Sequence, residues 1–264
     1  MDKPDVEPQV TSAPSAIGKL LSNRRVRRIA LAASGILVVL IVSVGYLFIR
    51  EDTVPPPEPG PSAAEQFEEQ LASLLKSNES VARIDAFTID DAMLQKLASL
   101  DRLTTIQVEA DSVSLDTIVA IAKMPKLEQL HIRKAAINDE MFAALAESST
   151  IWLLNFPNAK VSPAGIECLA KMPSLRQLRL GINDGDNRHG RAVATLSGLR
   201  AVHLIRVAVT DEGLHSLAKM PYLESLYLDD SSITDAGWTW LIEKSPQLHV
   251  HVNQKHHDRD PQNH

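Results

Sequence analysis

Leu199–Leu228 reads LRAVHLIRVAVTDEGLHSLAKMPYLESLYL, one structural unit followed by the start of the next. The phrase Leu199-x-x-Val202-x-Leu204 returns as Leu223-x-x-Leu226-x-Leu228, a period of 24 residues. Working outward, Leu103, Leu127, Ile151 and Leu175 open further units in the same register. A fixed period of this size marks stacked repeats, in which each unit buries its apolar side against its neighbours.

Counting places from each opening residue, places 4 and 6 are apolar in all seven units, from Ala82/Ile84 and Ile106/Val108 through Leu154/Phe156 to Leu226/Leu228. That alternation is one buried face of a short strand. Places 16, 19 and 20, as in Leu214, Leu217 and Ala218, have helical spacing. Between them, place 12 is Asp90, Ser114, Asn138, Ser162, Asp186, Thr210 and Thr234, all residues that accept from the unpaired amides of a helix's first turn. Aspartates at place 13 (Asp91, Asp139, Asp211, Asp235) suit the positive end of the helix dipole, and Pro163 suits the first helical position. Lys-Met-Pro at Lys123–Pro125, Lys171–Pro173 and Lys219–Pro221 ends three of the helices. Each unit therefore reads strand, turn, helix.

Taken together, LxxLxL…ITDxGLxxLAKMPxL resembles the leucine-rich repeat, and specifically a short variant abundant in bacterial, above all planctomycete, proteins. The best-matching stretches are Leu199–Leu228 and Ile233–Trp238, and the resemblance covers residues 79–252. It implies an α/β solenoid of about seven 24-residue units with a parallel sheet on its concave face. The asparagine or cysteine ladder usual at place 9 is not kept: the residues are Phe87, Asp111, Ala135, Ala159, Asn183, Val207 and Ser231. The fifth unit stands apart, with Gly185 and Gly190 where the others carry large apolar side chains at places 11 and 16. Residues 183–191 are accordingly expected to be the most mobile part of the array.

Ahead of the repeats, Ile29–Ile49 is uncharged over 21 residues. As a helix it reaches roughly 31 Å, the thickness of a bilayer's hydrocarbon core. Lys19, Arg24, Arg25, Arg27 and Arg28 precede it, and Glu51, Asp52 and Glu58 follow it. The positive-inside rule then keeps the N-terminus cytoplasmic and exports the repeats, as in a single-pass signal-anchor protein. The expected divisions are a disordered basic segment 1–28, a transmembrane helix 29–49, a proline-rich linker 50–61, a capping helix 62–78, repeats 79–252 and a disordered histidine-rich tail 253–264. Ser62 with Glu65 forms a capping box for the helix that covers the first repeat.

Composition narrows the function. Residues 1–50 hold seven bases and three acids, so the remainder carries −10 of a total charge of −6, which argues against nucleic acid. The single Cys168 is expected to be a buried thiol. HExxH, GxSxG, a phosphate-cradling glycine loop and Cys/His metal spacings are absent, so neither catalysis nor a cofactor is expected. His249-x-His251 and His256-His257 raise the question of a metal, but a polar tail accounts for them and no metal is assigned.

What remains is surface. Strand places 5 and 7 face away from the core. The candidate binding residues on that face are Arg83, Gln107, His131, Arg133, Asn155, Arg179, His203 and Tyr227. The expected role is a membrane-anchored binding or scaffolding module for a protein ligand. A cell-wall or glycan binder is the alternative, and an enzyme with an unrecognised site a weaker one. Sugar sites favour stacked rings, and Tyr227 alone supplies an aromatic ring at the outward places, so protein is preferred.

Overall fold

The structure, a computed structural model, describes residues 60–257. The predicted basic segment 1–28, the membrane span 29–49 and all but the end of the linker 50–61 lie outside the described residues. Among the described residues no helix is long and apolar enough to cross a membrane.

Among the described residues helix α1 (Ala63–Ser77) comes first, with the Ser62–Glu65 capping box formed as expected. The repeats follow as β1 (Val81–Ile89), α2 (Asp91–Ala98), β2 (Thr105–Ala110), α3 (Leu115–Ala122), β3 (Gln129–Lys134) and α4 (Asp139–Leu145). Then come β4 (Leu153–Phe156), α5 (Pro163–Cys168) with a 3-10 turn at Leu169–Lys171, β5 (Gln177–Gly185) and α6 (Asn187–Ala194). The last described elements are β6 (Ala201–Val207), α7 (Asp211–Leu217), β7 (Ser225–Asp229), α8 (Asp235–Lys244), β8 (His249–Val252) and β9 (Lys255–His256).

The nine strands of the described residues form one sheet in chain order. The first eight are parallel and the last is antiparallel. Each strand repeats its neighbour's register, so Ile106 pairs with Leu130, Leu130 with Leu154 and Leu154 with Leu178. Places 4 and 6 thereby stack into two continuous buried columns, with Ile106, Leu130, Leu154, Leu178, Val202 and Leu226 all at 0% exposure. Leu94, Ile118, Phe142, Ile166 and Leu214 face them from the helices, and Phe67 of α1 closes the N-terminal end of the same core. This α/β repeat fold resembles a leucine-rich-repeat solenoid.

Six of the seven place-12 residues cap their helices through the side chain. Thr210 does not. Its hydroxyl instead accepts from the Asn187 amide at 2.8 Å. That exception exposes a second ladder. The place-13 carboxylates do more than favour the helix dipole: Asp91, Asp139 and Asp211 accept from the backbone N–H of Ser114, Ser162 and Thr234 in the following unit at 2.7–2.9 Å. Asp139 and Asp211 also accept from the hydroxyls of Ser162 and Thr234, which leaves those oxygens free to cap. Asn187 makes the equivalent link to Thr210 N–H, but its amide donates to the hydroxyl, and the cap is lost.

The fifth unit keeps its strand and its helix, and two sequence expectations elsewhere differ from the structure. In that unit β5 runs through to Gly185 with a register shift against β6 between Gly181 and Gly185, and α6 has a reciprocal cap in which Asp186 accepts from the first turn and His189 accepts from Asp186 N–H at 3.1 Å. Close approach substitutes for side-chain volume, since a Cβ on Gly185 would lie 2.9 Å from Val207. The tail expected to be disordered from 253 instead continues through His257, because Asn253 and Gln254 turn the chain back into β9. Cys168, expected to be buried, is half-buried, with its thiol 3.4 Å from Ala164 O.

Candidate functional site

The helices occupy one face of the sheet and leave the other uncovered. Strand register sets the place-5 residues side by side on that uncovered face: Arg83, Gln107, His131, Asn155, Arg179, His203 and Tyr227, in that order. The row continues one strand further, to His251. The sequence-predicted site residues are therefore brought together, with Arg133 one place-7 position away on β3.

His131, Asn155, Arg179 and His203 are also bound to one another. Asn155 lies 3.0 Å from His131 Nδ1, and its Oδ1 accepts from Arg179 Nη1 at 3.2 Å. Arg179 Nε donates to His203 Nδ1 at 3.2 Å, and His203 Nε2 meets Asp229 Oδ2 at 2.9 Å. This wiring fixes the tautomers. An amide whose oxygen serves Arg179 presents its NH2 to His131, so His131 Nδ1 accepts and the proton sits on Nε2. By the same logic His203 carries its proton on Nε2 and donates it to Asp229. A second group gathers at the N-terminal strands, where Asp85 accepts from Gln107 at 2.8 Å and pairs with Arg133, while Glu109 pairs with Lys134 at 2.7 Å.

Electrostatics agree with neutral imidazoles. Burial, reinforced by the charges of Arg83, Arg133 and Arg179, holds His131 below the ordinary histidine pKa. Burial also lowers His203, against the opposing pull of Asp229. Burial likewise lowers Arg179, which remains a cation at any physiological pH. His131 Nε2 is buried without a hydrogen-bond partner.

Place 7 is only partly open. Expected to face outward throughout, it holds buried Gly181, Ile205 and Asp229 in the last three units. Arg206, at φ 56°, folds its guanidinium over this region to Asn183 Oδ1 and Pro157 O, both at 2.7 Å. Gly181 admits the Pro157 backbone so closely that a Cβ would fall inside van der Waals contact with Pro157 O. Where the row meets small Ala201, the face dips into a depression of about 150 Å³ lined by Gln177, Arg179, Ala201, His203 and Tyr227. Tyr227 sits between two imidazoles, 5.4 Å from His203 and 4.4 Å from His251, stacked on the latter.

Three contributors escaped the sequence reading. Asp85 and Asp229 were visible at place 7, but their role as anchors of the row depends on cross-strand geometry. His251 carried a signal, since it lies 24 residues after Tyr227 and so occupies place 5 of an eighth strand. It stands beside His249 and His256, whose rings gather at that end of the sheet.

No family model matches the chain, and no curated protein does. Among solved structures, an internalin from Listeria monocytogenes matches at 19% sequence identity and a TM-score of 0.44, covering 63% of this chain. The chain spans 47% of that internalin's length.

Proposed function

We propose that the chain is a membrane-anchored binding module that holds its repeats outside the cytoplasm and presents the uncovered sheet face to a protein partner. The observation that carries this reading is the polar row Arg83–Gln107–His131–Asn155–Arg179–His203–Tyr227, whose His131–Asn155–Arg179–His203 stretch is hydrogen-bonded end to end beside a depression at Ala201. Side chains ordered before binding lose less entropy on binding, which favours recognition by such a surface. The anchor and the orientation rest on the uncharged Ile29–Ile49 run and its basic N-terminal flank. A glycan ligand fits less well: Tyr227 is the one tyrosine or tryptophan in the row, and His251 already stacks on its ring at 4.4 Å.

Photo-cross-linking in intact cells tests the surface. A cross-linking amino acid at Ala201 should give discrete adducts with a protein, and the same group at Lys219 on the helix side should not. Equal adducts from both positions, or none from Ala201, would remove the sheet face as the binding surface.

A further inference from the structure

At the last strands of the array the chain builds something the repeat period does not require. Strand alternation puts His249 and His251 on the same face of β8, in line with the polar row. Asn253 and Gln254 then adopt φ of 50° and 63°, the left-handed pair of a two-residue hairpin turn. Neither is glycine, so the turn is held by contacts: Asp229 Oδ1 accepts from Gln254 N–H at 3.0 Å, and Asn253 Oδ1 accepts from Asp230 N–H at 2.9 Å. The returning strand pairs His256 directly opposite His251. Three imidazoles thus converge, with ring centroids 4.1–5.0 Å apart and one ligating nitrogen from each within 4.8 Å of the others.

We propose that His249, His251 and His256 form a binding site for a divalent transition-metal cation, zinc being the best match. Imidazole nitrogens suit Zn²⁺, Cu²⁺ and Ni²⁺, whereas Mg²⁺ and Ca²⁺ require oxygen ligands that this cluster does not offer. Around tetrahedral zinc, with Zn–N about 2.0–2.1 Å, ligating nitrogens stand about 3.3 Å apart. The cluster brackets that spacing: His249 Nε2 and His251 Nε2 are 2.6 Å apart, and the full set spans at most 4.8 Å. Two ring nitrogens at 2.6 Å share one proton between them, and a cation in its place satisfies both lone pairs at once. Three protein ligands leave one tetrahedral position for water or for a group from a bound partner. The metal joins β8 to the two-residue β9, so it fastens the end of the solenoid where stacking neighbours run out.

The test uses the full-length chain in detergent, stripped with a chelator and titrated with Zn²⁺ alone against a chromogenic competitor. One strong equivalent is expected, together with a higher unfolding temperature. His249→Gln, His251→Gln and His256→Gln should each weaken it by about tenfold or more, since losing a ligand costs at least what losing an outer-shell partner does. His215→Gln, on α7 against Trp240, should leave affinity unchanged. Co²⁺ gives a second readout on the unaltered protein: the intense visible bands of a tetrahedral nitrogen site are expected. Wild-type affinity in the triple variant, weak octahedral-type Co²⁺ bands, or no Zn²⁺ binding at micromolar concentration would each overturn the proposal.

Discussion

At the residue scale, the cross-unit carboxylate ladder explains a choice that composition leaves arbitrary. Units that receive an Asp or Asn from the preceding repeat carry Thr117, Gly165, Gly213 and Gly237 at place 15; units that receive none carry Met93, Met141 and His189. A Cβ on Gly237 would collide with the Asp211 carboxylate that holds Thr234. Gly237→Ala, usually a favourable change within a helix, is therefore expected to destabilise by about 1–3 kcal/mol, as overpacking does. Asp211→Ala should relieve most of that cost, and simple additivity in chemical denaturation would contradict the contact. The imidazoles of the row make a second prediction. His131 and His203 have folded pKa values below the reference of 6.5, so the unfolded chain takes up protons first. Their contribution is complete above pH 6.5 and is lost as pH falls through the lowered values. Urea midpoints should decline between pH 7 and 5, before carboxylates such as Asp186 (pKa about 2) begin to titrate, and His203→Gln should flatten part of the decline. A flat wild-type profile would contradict the wiring. Residue types and places were legible in the sequence here; the partners were not, because the contacts join residues 23 or 24 positions apart.

At the scale of elements, the strands and helices followed from period and capping chemistry with little ambiguity, since each unit restates the pattern. In the fifth unit the two glycines suggest missing volume, and a linear pattern cannot show that at Gly185 the neighbouring strand comes so close that a Cβ would lie 2.9 Å from Val207. The two glycines should respond oppositely to a methyl group. At Gly190 a Cβ would rest 3.5 Å from Val209, an ordinary contact on a helix, so Gly190→Ala is expected to stabilise by about 0.5–1 kcal/mol. At Gly185 it would press on Val207 at 2.9 Å, so Gly185→Ala should destabilise. Thermal unfolding of the two variants distinguishes a closed, well-packed unit from a loose one, because a loose unit would tolerate both. The C-terminal hairpin was hidden for a different reason. Its turn uses Asn253 and Gln254 at positive φ in place of the Asn-Gly pair that announces such turns.

At the scale of the whole molecule, the sequence carries an apolar run with a basic flank ahead of an acidic repeat region. If the repeats are exported, protease added to cells stripped of their outer barrier should degrade them and spare the first 25 residues; the reverse pattern would contradict the topology. The existence of an uncovered polar sheet face was legible from the alternation of places 4, 5 and 6, whereas its internal bonding and the depression at Ala201 emerged only from the folded chain. The direct measurement of binding by this face is the affinity of the cross-linked partner for purified variants of equal stability. Gln177→Ala and Arg179→Ala should each weaken binding by more than about 1 kcal/mol, the loss that marks a contributing interface residue, while Lys219→Ala leaves it unchanged. Equal losses from the sheet and helix faces would contradict the account.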